Sequence, residues 1–299
     1  MQSHTATQMR AAAIFGLSSS SRDLKPFHNI SQVNWAIGLP GAPNEADIML
    51  IFGGDGTVHR HLAGLVALGL PVLIVPVGSG NDFARALNLR SIRDSLAAFK
   101  RFASDAANVW TVDLGVITPS YSSPEISRYF CCVAGCGLDA EVARRVNQLP
   151  RWLRSHGGYA LALAAALTKF AASRTEILLP KSGRSHEFAT HRSNVTALIA
   201  CANSPSYGGG MRIAPRATMD DGMLDVCFVG DLGKLKLFCL FPSVYVGRHL
   251  TITGVEYFQA ERLRIETEQP VDIYADGEYV CQTPVEIAIA PRALRVVVP

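Results

Sequence analysis

The sequence predicts an α/β domain built on a parallel sheet, followed by a mainly β sandwich domain, with the change near residue 116. Three observations carry this expectation. Two apolar runs, Ile48–Phe52 and Val72–Val75, each lead into a glycine loop and then a helix-periodic segment. Beyond residue 116 the apolar segments become short, β-rich and often alternating. Turn signals, Asp221-Gly222, Asp276-Gly277 and Gly208-Gly209-Gly210, separate those short segments. Strands that are apolar throughout are buried on both faces, the mark of a parallel sheet between layers of helix.

The elements follow in order. Ala11–Leu17 reads as a first strand, and the polar first residues lack periodicity. Ile48–Phe52 is the next clear strand, and after it Val58, Leu62, Leu65 and Val66 recur at helical spacing over Thr57–Leu68. Val72–Val75 leads to helical segments at Asp82–Leu87 and Ser91–Phe102, where Ile92, Leu96 and Phe99 share one face. The first domain is placed at 1–115. In the second, 116–299, the expected strands are Arg128–Ala134, Val195–Ala202, Leu224–Val229, Arg262–Glu268, Val271–Ala275 and Glu286–Ala290. An amphipathic segment, Asp139–Asn147, and an Ala-rich helix, Tyr159–Phe170, interrupt them. A cleft between two domains is the default place for catalysis.

Composition narrows the function classes. With 299 residues, 48% of them hydrophobic and 18% charged, the chain can fill two cores. A net charge of +3 without a Lys/Arg block argues against nucleic acid. The seven cysteines sit mostly in apolar runs (Cys131, Cys132, Cys201, Cys227, Cys239, Cys281) and form no CxxC pair. They read as small hydrophobes in a reducing compartment, not as a metal centre. No signal architecture opens the chain, and no apolar stretch reaches the ~18 residues that span a bilayer. A soluble, cytoplasmic protein is expected.

Phosphate chemistry is suggested by the two glycine loops. Gly53-Gly54-Asp55-Gly56-Thr57 can bring backbone N–H groups close to phosphate oxygens, with the Thr57 hydroxyl at a helix N-terminus and Asp55 able to hold a metal. The same loop serves equally as a strand-to-helix turn with Asp55 as a cap. The second loop, Gly78-Ser79-Gly80-Asn81-Asp82, again sets polar groups before a helix. Asp276-Gly277 by itself reads as a type I′ hairpin turn. Thr218–Met223 reads as a turn in which Asp221 bonds its own backbone, and Asp113 as a strand-end cap. Arg144, Arg145, Arg151 and Arg154 form either a solvated basic face or a surface for anionic headgroups.

Gly53–Thr57 followed by Gly78–Arg85 resembles the diacylglycerol kinase catalytic family, which includes bacterial lipid kinases and more distantly the sphingosine and ceramide kinases. The likeness continues through Val112–Gly115, Ala134–Val142, Tyr207–Gly210, Pro215, Asp220–Val226, Asp276–Glu278 and Pro291–Pro299. The first motif is shared with NAD kinases; the second is more characteristic of lipid kinases. The resemblance implies a three-layer α/β nucleotide-binding domain of the NAD kinase/diacylglycerol kinase type and a β-sandwich lipid-substrate domain. It implies ATP-dependent phosphorylation of a hydroxyl of diacylglycerol or a related lipid. ATP would contact Gly53, Gly54, Asp55, Gly56, Thr57, Val58, His59, Gly78, Ser79, Gly80 and Asn81, with Asp55 organising the metal–phosphate charge. Glu278 or Asp276 would be the base, Asp113 would belong to the charge network, and Thr218, Asp221 and Met223 would hold Mg²⁺. The implied partners are a lipid substrate and a transient membrane surface, with the enzyme cytoplasmic and peripheral to the membrane and serving phospholipid biosynthesis; a homodimer is left open. The alternatives are a nucleotide- or lipid-binding regulator with little turnover and an NAD kinase-like enzyme. Three features depart from the family pattern. His59-Arg60 stands where Asn-Glu or His-Glu is usual, and Ser18–Ser21 with Arg22 replaces the Asn-Pro loop. Val33–Asp47, with Pro40 and Pro43, is too short for the usual helix.

Overall fold

The computed structural model describes residues 8–30, 33–120, 127–150, 158–181 and 187–299, the Tyr159 side chain excepted. Two compact units emerge: Met1–Val112 with Ala293–Pro299, and Asp113–Arg292. The sequence placed the boundary after residue 115 and assigned the C-terminus to the second domain. Instead the chain end clusters with the first unit, because Val296 pairs in parallel with Val72.

In the first unit, β1 (Met9–Phe15), β2 (Val33–Ile37), β3 (Ile48–Gly53) and β4 (Val72–Pro76) form a parallel sheet in the order β4-β3-β1-β2. All six residues of β3 are buried. Since successive side chains point to opposite faces, both faces of this strand are covered, as its unbroken apolar run requires. Its helices include α1 (Asp55–Leu68), α2 (Asp82–Ala86) and α3 (Ile92–Asp105), and a single helical turn forms at Lys25–His28. Gly69 ends α1 in the left-handed conformation at φ 61°, and Ser91 caps α3 through the N–H of Asp94. Between β2 and β3 only a short 3-10 turn forms, Pro43–Glu45, in the segment judged too short for a helix.

The second unit is mainly antiparallel. Its elements are β6 (Arg128–Phe130), β7 (Val133–Gly137), α4 (Leu138–Gln148), α5 (Gly158–Lys169), β8 (Ser173–Pro180), β9 (Phe188–Ala202), β10 (Leu224–Gly230), α6 (Lys234–Tyr245), β11 (Val255–Ala260), β12 (Arg262–Thr267), β13 (Asp272–Ala275) and β14 (Glu278–Gln282). The unit boundaries fall inside β5 (Val109–Pro119) and β15 (Val285–Val297). Strands run β14-β13-β7-β9-β8-β12-β15, with β10 pairing both β9 and β11. Ile117, Phe130, Ile177, Ile199, Phe228, Leu263 and Ile287 lie in one buried cluster inside this unit. The expected single strand Arg128–Ala134 is two strands, because Cys131 and Cys132 turn away to meet Asp276.

Candidate active site

The two glycine loops are packed on each other. The Asp55 N–H donates to the Gly80 carbonyl at 3.0 Å, and the Asp55 carboxylate accepts from the N–H groups of Asp82 and Phe83 at 2.9 and 3.0 Å. Asp55 therefore caps α2 from the neighbouring loop, satisfying donors that the first turn of a helix leaves open. A Cβ on Gly54 would lie 2.1 Å from the Gly80 oxygen, and one on Gly78 would lie 2.5 Å from the Gly54 backbone. Glycine at these two positions is required by loop-on-loop contact. The Asn81 amide nitrogen donates to the Gly78 carbonyl at 2.8 Å, while its Oδ1 is shielded from solvent and lacks a hydrogen bond.

Thr57, at the start of α1, is approached by a third loop. A Cβ on Gly16 would lie 2.3 Å from Thr57 Oγ1, and one on Gly53 would lie 2.5 Å from it. The Ser19 hydroxyl donates to the Phe52 carbonyl at 2.6 Å, and Ser20 caps the short turn Ser21–Leu24. Two serines of the Ser18–Ser21 run are thus engaged with backbone. Gly16 escaped the sequence reading; its only signal was a glycine immediately after a buried strand. Val58 is buried in the core of its unit, His59 and Gly56 are half-buried, and Ser79 and Arg60 are exposed. Burial, with Arg60 adding, holds the His61 imidazole below the usual histidine range.

In the second unit, Asp276-Gly277 is the two-residue turn of the β13–β14 hairpin, with φ of 51° and 85° as a type I′ turn demands. Asp276 does more than turn the chain. Its carboxylate accepts from the N–H groups of Cys131, Cys132 and Val133 at 2.9, 2.8 and 3.3 Å, clamping the hairpin to the β6–β7 link. The Asn147 amide of α4 donates to the Gly277 carbonyl at 2.6 Å. Glu278 opens β14 opposite Ala275, its side chain exposed and its carboxylate without a hydrogen-bond partner among the described residues. Of the two candidate bases, Asp276 is committed to backbone and Glu278 is available. Cys131, Cys132 and Asp276 bring three possible ligand atoms within 4.8 Å of one another. Because the carboxylate already serves three amides and touches the Cys131 thiol at 3.3 Å, this group reads as a hydrogen-bonded clamp.

Asp113 lies inside β5 rather than at a strand end. Its carboxylate accepts from Gly222 N–H at 2.8 Å and Arg292 N–H at 2.7 Å, and its own N–H donates to the Met219 carbonyl at 2.7 Å. It thereby fastens the 218–223 turn. Asp221 Oδ1 accepts from Met223 N–H at 3.0 Å, the local bond expected of such a turn, and Oδ2 accepts from Gln259 at 3.3 Å. Beside it Asp225 is buried, accepting from Gln259 at 3.4 Å, and burial pushes its carboxyl up against the opposing pull of Tyr257 and Gln259. Gln259 reaches both Asp221 and Asp225, so two carboxylates lie close together at this turn, and carboxylate and carbonyl oxygens are the hard donors that Mg²⁺ takes.

One buried acid stood in the sequence only as part of a motif and of an amphipathic segment, with no role of its own. Asp139, in the first turn of α4, accepts from the Tyr207 hydroxyl and ties the Tyr207–Gly210 loop to the helix. A Cβ at Gly135 would lie 1.9 Å from its Oδ2, so the glycine makes room for the carboxylate. Burial pushes the Asp139 carboxyl up to about 6. Arg144 and Arg145 both pair with Glu141, at 2.8 and 2.7 Å; Arg151 and Arg154 lie outside the described residues. No described helix is long and apolar enough to cross a membrane.

Comparison with known proteins resolves the family. Residues 39–115 match the diacylglycerol kinase catalytic domain, and residues 132–298 match the YegS C-terminal NAD kinase beta sandwich-like domain. The chain is 32% identical over 255 residues to a diacylglycerol kinase of Mycobacterium tuberculosis, covering 85% of this chain and 77% of that protein. This chain belongs to the diacylglycerol kinase family. A Bacillus subtilis diacylglycerol kinase is 26% identical over 260 residues, covering 86% and 80% of the two chains. Among solved structures, a Bacillus anthracis diacylglycerol kinase superposes with a TM-score of 0.67 at 16% identity, covering 99% and 98%. An Archaeoglobus fulgidus NAD kinase in complex with ATP superposes with a TM-score of 0.52 at 13% identity, covering 97% and 93%. The α/β unit and the sandwich-like unit are thus the shared fold, and the family is one of lipid kinases.

Proposed function

We propose that this lipid kinase transfers the γ-phosphoryl group of ATP to a free hydroxyl of diacylglycerol or a related lipid. The observation that carries the reading is the joined pair of glycine loops after β3 and β4, latched by Asp55, with no side chain at Gly54 or Gly78 between them. Phosphoryl transfer depends on positioned donors and charge more than on covalent chemistry, which such a floor supplies. The NAD kinase neighbour solved with ATP shares this fold, which supports nucleotide use. Glu278, exposed beside a clamped turn, takes the proton of the lipid hydroxyl, while Asp276 fixes the turn on which it stands. Mg²⁺, when bound, supplies positive charge near the turn, held by Asp221 and the carbonyls of Thr218 and Met223, with Asp225 behind them. Work on a bilayer lipid makes the enzyme a peripheral visitor to membranes.

The test is transfer of label from γ-labelled ATP to dioleoylglycerol, monoacylglycerol and sphingosine in mixed micelles, with Mg²⁺ or with EDTA. Magnesium-dependent labelling of a glycerolipid supports the proposal. Tight binding of a non-hydrolysable ATP analogue without transfer to any lipid overturns it in favour of a regulator, and transfer to NAD overturns it in favour of an NAD kinase.

A further inference from the structure

We infer that the outward face of α6 is a docking surface for an anionic lipid bilayer. The inference rests on the lipid-kinase reading for the nature of its substrate and on the helix itself for its location. Helix α6 is apolar on both sides. Leu237, Leu240 and Val244 recur at helical spacing and are buried. On the other side Leu235 is 77% exposed, Phe238 48%, Tyr245 41% and the adjoining Val246 61%. Cys239 and Pro242 are exposed between them. At about 100° per residue, positions 235, 238, 239, 242, 245 and 246 fall within a stripe about 120° wide, opposite the buried one.

This is a patch and not scatter. Four of the ten large hydrophobic side chains exposed among the described residues lie between Leu235 and Val246. A helix with apolar stripes on two opposite sides normally has both covered by something. The neighbouring helix α5 packs against α6, itself exposes Leu161, and is joined to α6 by the Lys234 ammonium donating to the Thr168 carbonyl at 2.8 Å.

Charge selects the occupant. Lys234 and Lys236 flank the stripe on its two sides, and the exposed Arg248 follows its end. No acidic residue occurs from Leu232 to Val255, nor anywhere in α5. A second copy of this chain would lay the same cations against one another, since a two-fold contact pairs a surface with itself. An anionic bilayer offers hydrocarbon for the leucine, phenylalanine and tyrosine side chains, and headgroup charge for the lysines at its rim. The expected Arg144–Arg154 surface is a weaker candidate, because Arg144 and Arg145 are already paired with Glu141.

Vesicle cosedimentation of the full chain tests the assignment, comparing phosphatidylglycerol/phosphatidylcholine vesicles with pure phosphatidylcholine. Wild type should bind the anionic vesicles at least ten-fold more tightly. Leu235→Glu with Phe238→Glu should lower that affinity at least ten-fold, and Lys236→Glu several-fold. The melting temperature should be unchanged in each, because these side chains are exposed. Cys239, the exposed one of the seven cysteines, should shift a polarity-sensitive label to the blue on anionic vesicles. Turnover of vesicle diacylglycerol should fall with binding in the variants, while turnover of a monomeric short-chain diacylglycerol should not. Wild-type binding by the double variant, equal binding to both vesicle types, or a dimer in solution that the double variant dissociates would each overturn the inference. Absence of phosphorylation of any lipid by wild type would overturn the kinase reading alone, leaving vesicle binding to judge the docking surface.

Discussion

Replacing Gly54 by alanine places a methyl carbon 2.1 Å from the Gly80 carbonyl oxygen, a separation that must open to at least 3.4 Å for ordinary contact. Nothing flexible can give way. The obstructing atom is backbone, and the same carbonyl accepts the Asp55 N–H at 3.0 Å. Gly54 itself sits at φ −116°, ψ −168°, a conformation alanine adopts freely, so the effect isolates the collision from backbone strain. Forcing a methyl into a packed contact costs about 1–3 kcal/mol. The larger consequence is geometric, since a shift of about 1 Å in groups that position a reacting phosphate lowers turnover about 10²-fold. Gly69→Ala is the control: its φ is 61° and no atom lies within 4 Å of the added carbon. It should cost about 1 kcal/mol through the left-handed backbone alone and leave turnover intact. Urea unfolding gives the stability of each variant, and steady-state kinetics with varied ATP gives kcat and KM. Wild-type kcat and ATP KM in Gly54→Ala would refute the view that these glycines exist to let the two loops meet.

The remaining predictions concern carboxylates. Glu278→Gln should lower kcat by about 10²–10⁴-fold with unchanged urea stability, whereas Asp276→Ala should also lose stability, by about 1–3 kcal/mol, because three amides lose their acceptor; an unaffected rate in Glu278→Gln moves the base elsewhere. The Asp139 carboxyl is raised from 3.8 to about 6, so between those values the folded chain holds a proton that the unfolded chain has released. Stability from this group is therefore present below about pH 4 and lost as pH rises through about 6, amounting to about 3 kcal/mol in full. Asp139→Asn removes that slope, and parallel urea-midpoint profiles for wild type and variant from pH 4.5 to 7.5 would contradict it. Arg60→Glu should raise turnover if the carboxylate usual in the family contributes to the site; an unchanged kcat makes the departure neutral.

The parts of the fold that were legible in the sequence are those governed by local pattern. The unbroken apolar runs of β3 and β4 marked a two-sided sheet, and the spacing of Val58, Leu62 and Leu65 marked α1. Asp276-Gly277 announced its type I′ turn by residue type alone. Helix α6 was not legible, since apolar residues stand on two opposite sides of it and it contains Pro242. Strand β9 begins at Phe188, earlier than expected, because its first half is polar and faces solvent. The site divided in the same way. The glycine loops stood out, but their mutual contact, the commitment of Asp55 and Asp276 to backbone amides, and the Asp139–Tyr207 bond join residues far apart in the chain. Spacing carries no information about such pairings. Motif resemblance named Asp276 and Glu278 together; only the hydrogen bonds separate a residue that holds the turn from one free to take a proton.

Lipid phosphorylation is tested most directly by incubating the purified protein with γ-labelled ATP, Mg²⁺ and total lipid extracted from its host, with products resolved by chromatography. One labelled phospholipid is expected, lost with Glu278→Gln and with EDTA. Absence of any labelled lipid from a folded, ATP-binding preparation would contradict it.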